Sequence, residues 1–81
     1  MNEKFRDGLS SILHVAPDAV RPELHFAEDK WDSMTMISVI ALIDDTFGIT
    51  IPVEKMASCR SVADLLAAID FALSQKSAPG R

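Results

Sequence analysis

The sequence predicts a small all-α fold: a four-helix bundle with three main helices, one short third helix and a long first loop. Three observations carry this prediction. Apolar residues recur at helical spacing near both ends of the chain, in segments 2–14 and 61–75. Between them runs a nearly continuous apolar stretch with capping residues at its start and a glycine after its end. The length of 81 residues fits one domain, and no internal repeat is present.

The first helix is expected over Asn2 to His14. Phe5, Leu9, Ile12 and Leu13 fall on one face, with Glu3, Lys4, Arg6 and Asp7 around them. Gly8 lies inside this segment, where glycine costs about 1 kcal/mol relative to alanine. Pro17 bounds the helix on its C-terminal side. Residues 15–32 then read as a long connection. Pro17 and Pro22 interrupt helical continuity, and 18–20 can form a brief turn. Leu24 and Phe26 alternate with polar neighbours and pin the loop to the core. Loops of this length in a small domain are often functional.

The second helix is expected from Ser33 to Phe47. Asp32 and Ser33 are both good N-cap types, and Gly48 suits the position after the last turn. From Met34 to Ile43 only Thr35 and Ser38 are polar, a composition that predicts a central helix. Asp44 and Asp45 add a polar patch near its end. After the extended link 49–51, Pro52 opens a short helix as its first residue, with Val53 to Ala57 making about one turn. The last helix starts at Ser61, where Ser61 and Asp64 have capping-box spacing. Val62, Leu65, Leu66, Ile69 and Leu73 form its apolar stripe. The domain is expected to span 1–75, with 76–81 as a flexible tail.

Composition narrows the function. Formal net charge is -4, so the chain lacks the basic excess that a nucleic-acid binder needs. It suits a protein that meets basic partner surfaces. The single cysteine, Cys59, permits no intrachain disulfide, and a reducing compartment is the natural setting. The N-terminus is charged and without an apolar secretory core, and the run Val39 to Ile43 is too short to span a bilayer. The expectation is a cytoplasmic protein with no membrane span. No serine here has the strand–turn–helix context of a nucleophile elbow, so no serine hydrolase is expected, and His14 and His25 read as surface or loop residues. Cys59 reads as a half-buried small hydrophobe.

Ser33 is the residue of chemical interest. It follows a long loop and opens an apolar helix. Helix N-termini carry unpaired N–H groups and partial positive charge, which stabilise a phosphodiester. Read locally, Ser33 or Asp32 could equally be a simple cap.

Three segments bear a wider resemblance. Trp31-Asp32-Ser33-Met34 resembles the Asp-Ser-Leu or Asp-Ser-Met attachment motif of acyl carrier proteins. Phe47-Gly48-Ile49-Thr50-Ile51-Pro52 is similar to that family's exit from its second helix, at the same interval. Ser61-Val62-Ala63-Asp64-Leu65 resembles the start of its last helix. These anchors cover Trp31 to Ile69, roughly half the chain.

The resemblance implies a covalent 4′-phosphopantetheine on Ser33, transferred from coenzyme A by a phosphopantetheinyl transferase. The terminal thiol of the arm, not Cys59, would carry the cargo as a thioester. It implies a carrier and not an enzyme, with acyl-loading and acyl-transferring enzymes as partners, acting as a monomer with no metal site of its own. The helix bearing the serine would also present the docking face, with Trp31, Asp32, Met34, Thr35, Ser38, Asp44 and Asp45 on or near it. Ile37, Val39, Ile40, Ile43, Phe47, Ile51, Val62 and Leu66 would line an acyl pocket or the core.

Two departures from the family pattern bear on function. Lys30-Trp31 stands where many acyl carriers approach the motif with a glycine. There Trp31 could contact the arm or a partner, or seal the loop onto the core. Thr35 and Ser38 lie where acidic residues are frequent, which points to a specialised carrier rather than the housekeeping fatty acid one. An aminoacyl carrier, such as a D-alanyl or peptidyl carrier, remains an alternative. So does an unmodified helical interaction domain.

Overall fold

The computed structural model describes residues 2–76. Four helices follow one another: α1 (Glu3–Leu13), α2 (Ser33–Phe47), α3 (Val53–Ser58) and α4 (Val62–Lys76). A single 3₁₀ turn, Pro17–Ala19, interrupts the long α1–α2 loop. The architecture is the small all-α bundle that the sequence predicts.

Caps set the ends of α1. The Asn2 side chain accepts the Phe5 N–H at 3.0 Å. His14 closes the helix in the left-handed region, φ 59°, three residues before Pro17. Phe5 and Leu9 are wholly buried and Leu13 nearly so, which lays the apolar face of α1 against α2. The Phe5 and Phe47 rings meet at 5.6 Å between centroids. Gly8 has a structural reason. A Cβ built there would lie 2.5 Å from Leu42 Cδ1, so the missing side chain lets α1 approach α2 closely.

The loop is pinned as expected, and by backbone as well as side chains. Leu24 and Phe26 are half-buried against the core. His25 and Ser61 form an isolated antiparallel bridge, closed by Phe26 N–H to Arg60 O at 2.9 Å and Val62 N–H to Leu24 O at 2.9 Å. Two stations of the long loop are thereby stitched to the start of α4.

Helix α2 corrects one expectation. Its composition suggested burial nearly all round, yet only Val39 and Ile43 are fully inside. Met34 is 77% and Ile37 60% exposed. The short α3 cannot cover the outer side of a fifteen-residue helix. Gly48 ends α2 with φ 71°, where its N–H reaches Asp44 O at 2.8 Å.

Two termini differ in detail. Pro52 caps α3 from outside with ψ 147°, so the helix begins at Val53 and runs on to Ser58. At α4 the Ser61 hydroxyl accepts Asp64 N–H at 3.3 Å, but Asp64 Oδ2 takes the N–H of Arg60 at 2.8 Å, one residue before the expected partner. Val62, Leu65, Ala68 and Ile69 carry the buried stripe, with Leu66 and Leu73 half-buried beside it. Lys76 is the last residue of α4, and the remainder of the expected tail, 77–81, lies outside the described residues. Cys59 is buried more fully than expected.

Candidate functional site

The loop delivers the chain to α2 through Trp31. Its indole is buried, stacks on Phe26 at 4.0 Å with the rings 11° apart, and donates Nε1–H to Met56 O at 3.0 Å. Trp31 is therefore a core residue, not part of an exposed docking face. A large aromatic with one polar atom finds both its apolar surroundings and its acceptor here. Three elements converge on this ring: the loop, the approach to α2, and α3.

Asp32 follows and performs the capping. Its Oδ1 accepts Thr35 N–H at 2.9 Å, and its carbonyl accepts Met36 N–H at 2.9 Å. The Thr35 backbone N–H is the main reason that the Asp32 carboxyl is held below its ordinary value of 3.8. The question left open by the sequence, which of the two residues caps, is thus settled in favour of Asp32.

Ser33 is the first residue of α2, exposed to solvent. Its hydroxyl makes no hydrogen bond among the described residues. A serine relieved of capping, on the surface, at the positive end of a fifteen-residue helix, has a free oxygen where a phosphodiester is favoured. The residues present fit a phosphate-linked group.

From Ser33 an exposed stripe runs along α2 through Met34, Ile37, Ser38, Ala41, Asp44 and Asp45. Ile37 belongs to this stripe, which corrects its assignment to an acyl pocket or core. It lies two residues from buried Val39, or about 200° around the helix, on the opposite side. Of the remaining pocket candidates, Val39, Ile43, Ile51 and Val62 are buried, whereas Ile40, Phe47 and Leu66 are half-buried. Thr35 is half-buried at the edge of the stripe.

The two carboxylates end this stripe near the C-terminus of α2, where the helix dipole disfavours negative charge. Asp45 is offset by Lys4 of α1, Nζ to Oδ2 at 3.0 Å, between two largely exposed side chains. Such a pair contributes about 0–1 kcal/mol. Asp44 forms no ion pair among the described residues. The ion pair, the Trp31–Met56 bond and the closeness of α1 to α2 at Gly8 all join residues far apart in the chain, and no local sequence signal marked them.

Comparison with known proteins gives the geometry its context. A family model described as the phosphopantetheine attachment site matches residues 3–69. The chain belongs to the phosphopantetheine-binding acyl carrier family. It is 33% identical over 72 residues to the meromycolate extension acyl carrier protein of Mycolicibacterium smegmatis, covering 83% of this chain and 73% of that one. It is 35% identical over 65 residues to an acyl carrier protein of Thermosynechococcus vestitus, covering 79% and 80%. A third similar protein is the acyl carrier protein of Renibacterium salmoninarum, 30% identical over 73 residues. This acyl carrier holds its cargo on 4′-phosphopantetheine and is not an enzyme. Among the described residues, no helix is long and apolar enough to cross a membrane.

Proposed function

We propose that Ser33 is the residue that bears the arm. The observation carrying this is the division of labour at the start of α2: Asp32 occupies the cap and leaves the Ser33 hydroxyl exposed and unbonded. In the modification, Ser33 Oγ attacks the β-phosphorus of coenzyme A. The O–P bond forms, the pyrophosphate bridge breaks, and the adenosine bisphosphate half leaves. The hydroxyl proton passes to a base of the phosphopantetheinyl transferase. The attached group then supplies a thiol that holds acyl cargo as a thioester. Asp32, as a fixed and ionised cap, keeps the first turn of α2 in place while a partner handles Ser33.

The exposed stripe of α2 is the docking face in this reading. Its first three turns carry no carboxylate and present Met34 and Ile37 to solvent. Partners seated there gain apolar contact, and steering comes from Asp44 and Asp45 near one end of the helix and from the Asp32 cap at the other. That balance supports a specialised carrier in a dedicated biosynthetic route over a housekeeping fatty acid carrier. Similarity to meromycolate extension carriers supports a route in lipid biosynthesis. A cytoplasmic, monomeric protein fits the reading.

Incubation with coenzyme A, Mg²⁺ and a broad-specificity transferase tests it by intact mass. Wild type gains one phosphopantetheine and Ser33→Ala gains none. An equal gain in both proteins would place the arm elsewhere.

A further inference from the structure

We infer that Lys4 is a built-in competitor at the docking face: its ammonium occupies Asp45 and must be displaced before a basic partner can use that carboxylate. Lys4 thereby disfavours partners that dock through a cluster of basic groups. It favours partners with an apolar patch and a single basic group facing Asp44. This rests on the reading of the exposed stripe of α2 as the docking face.

Helix packing puts the ammonium there. The two helices run antiparallel, with position 8 against Leu42 and Phe5 against Phe47. Lys4 is one turn back from Gly8 on α1, and Asp45 is about one turn on from Leu42 on α2. The close approach at Gly8 therefore sets these two side chains side by side, and Nζ reaches Oδ2 at 3.0 Å. Asp45 also lies on the axis of the stripe. Met34, Ser38, Ala41 and Asp45 are all exposed and follow one another at spacings of three or four residues, along one line of the helix. Asp44 is turned about 100° away from Asp45 and forms no ion pair among the described residues. One carboxylate of the two is open, and the other is occupied.

The polarity of the pair points the same way. Lys4 stands in the first turn of α1 and Asp45 in the last turn of α2. Each is at the end of its helix where the dipole disfavours its charge. An acid at position 4 and a base at position 45 would pair as well and suit both dipoles. The arrangement present gains nothing for either helix alone, but it puts the carboxylate on the stripe and its counter-ion on the neighbouring helix. The contact can also open. Its side chains are 59% and 72% exposed, and a pair of that kind biases an equilibrium by at most about fivefold.

The test compares kcat/KM for loading of the full chain from coenzyme A by a phosphopantetheinyl transferase with a basic carrier-binding surface. Rates are taken at about 0.01 M and about 0.15 M ionic strength, where the screening length falls from about 30 to about 8 Å. Asp44→Asn is expected to slow loading at the lower ionic strength. Lys4→Gln should speed it there by about two- to fivefold, with the gain shrinking at the higher one and the urea midpoint little changed. In an Asp45→Asn background the same Lys4→Gln change should give less than about half of that gain, because competition needs both members of the pair.

No gain from Lys4→Gln, or the same gain with and without Asp45, would overturn Lys4 as a competitor, while slower loading of Asp44→Asn would leave the docking face standing. If Asp44→Asn also loads at the wild-type rate, the docking face itself is lost and the role of Lys4 with it.

Discussion

Asp32 and Ser33 are both capable caps, and the geometry assigns that task to only one of them. The consequence is a serine whose loss the fold barely registers. Ser33→Ala should change stability by no more than about 0.5 kcal/mol in urea unfolding, the usual range for a surface site without special contacts. Asp32 behaves differently. Because its folded carboxyl is held below the ordinary 3.8, its ionised form stabilises the fold above that value, and the contribution disappears as pH falls through the lowered folded value. Asp32→Asn, which keeps an acceptor oxygen but no charge, should flatten the pH dependence of stability below about pH 4. An unchanged acid limb would show that the carboxylate is not an ionic cap. Trp31 shows the limit of local reading at this scale. Next to the attachment motif, it could have contacted the arm, served a partner or sealed the loop. Its burial follows from Phe26 and Met56, five residues before it and twenty-five after it. Trp31→Phe should retain the stack with Phe26 and lose only the bond to Met56 O, at a cost of about 0.5–1.5 kcal/mol. Met56 O keeps a partner in Cys59 N–H, so no orphaned acceptor adds to that cost.

At the scale of elements, α1 and α2 are held together by a missing side chain. Alanine at position 8 would gain about 1 kcal/mol of helix propensity. It would also displace Leu42, with overpacking of this kind costing about 1–3 kcal/mol. Gly8→Ala is expected to be neutral or destabilising alone and stabilising by about 1 kcal/mol in a Leu42→Ala background. Additive effects in that double-mutant cycle would contradict the close approach. Helix positions were legible in the sequence because their signals are local: Asp32 as a candidate cap, Gly48 after α2, Ser61 before α4. The face that α2 buries was legible only in part: the resemblance put Met34 on the docking side and Val39 and Ile43 in the pocket or core, but it put Ile37 there as well. With apolar residues on all sides, only the neighbours decide which are covered, and the packing of α2 against α1 and α3 leaves Val39 and Ile43 inside and Met34 and Ile37 outside. The proposed docking face follows from that selection. Reversing Asp44 to Lys should slow loading by a basic partner at low salt, with the difference shrinking as salt rises. Ile37→Ser should slow it equally at all salt concentrations. A steep salt dependence for the Ile37 variant would argue against apolar docking.

Across the whole molecule, the core leaves its one thiol unavailable. Cys59 is 3% exposed, and burial raises its thiol above the ordinary 9.0. A raised folded value means that the neutral thiol belongs to the native state, so stability should fall as pH rises above 9.0. The arm thiol is exposed by function. Holo protein titrated with a thiol reagent at neutral pH should show one fast-reacting thiol, and apo protein none until it unfolds. A fast thiol in folded apo protein would show that Cys59 is accessible. Fold class and family were readable because three anchor segments stand at fixed intervals along the chain. The ion pair between Lys4 and Asp45, and the bridge between His25 and Ser61, required the folded chain to bring distant residues together.

Fragmentation mass spectrometry of transferase-treated wild type tests at residue resolution whether Ser33 carries the arm. Phosphopantetheine on the peptide containing Ser33, with fragment ions placing it on that residue and not on Ser38, is the predicted result. The same mass located on any other serine would rule out Ser33 as the attachment point.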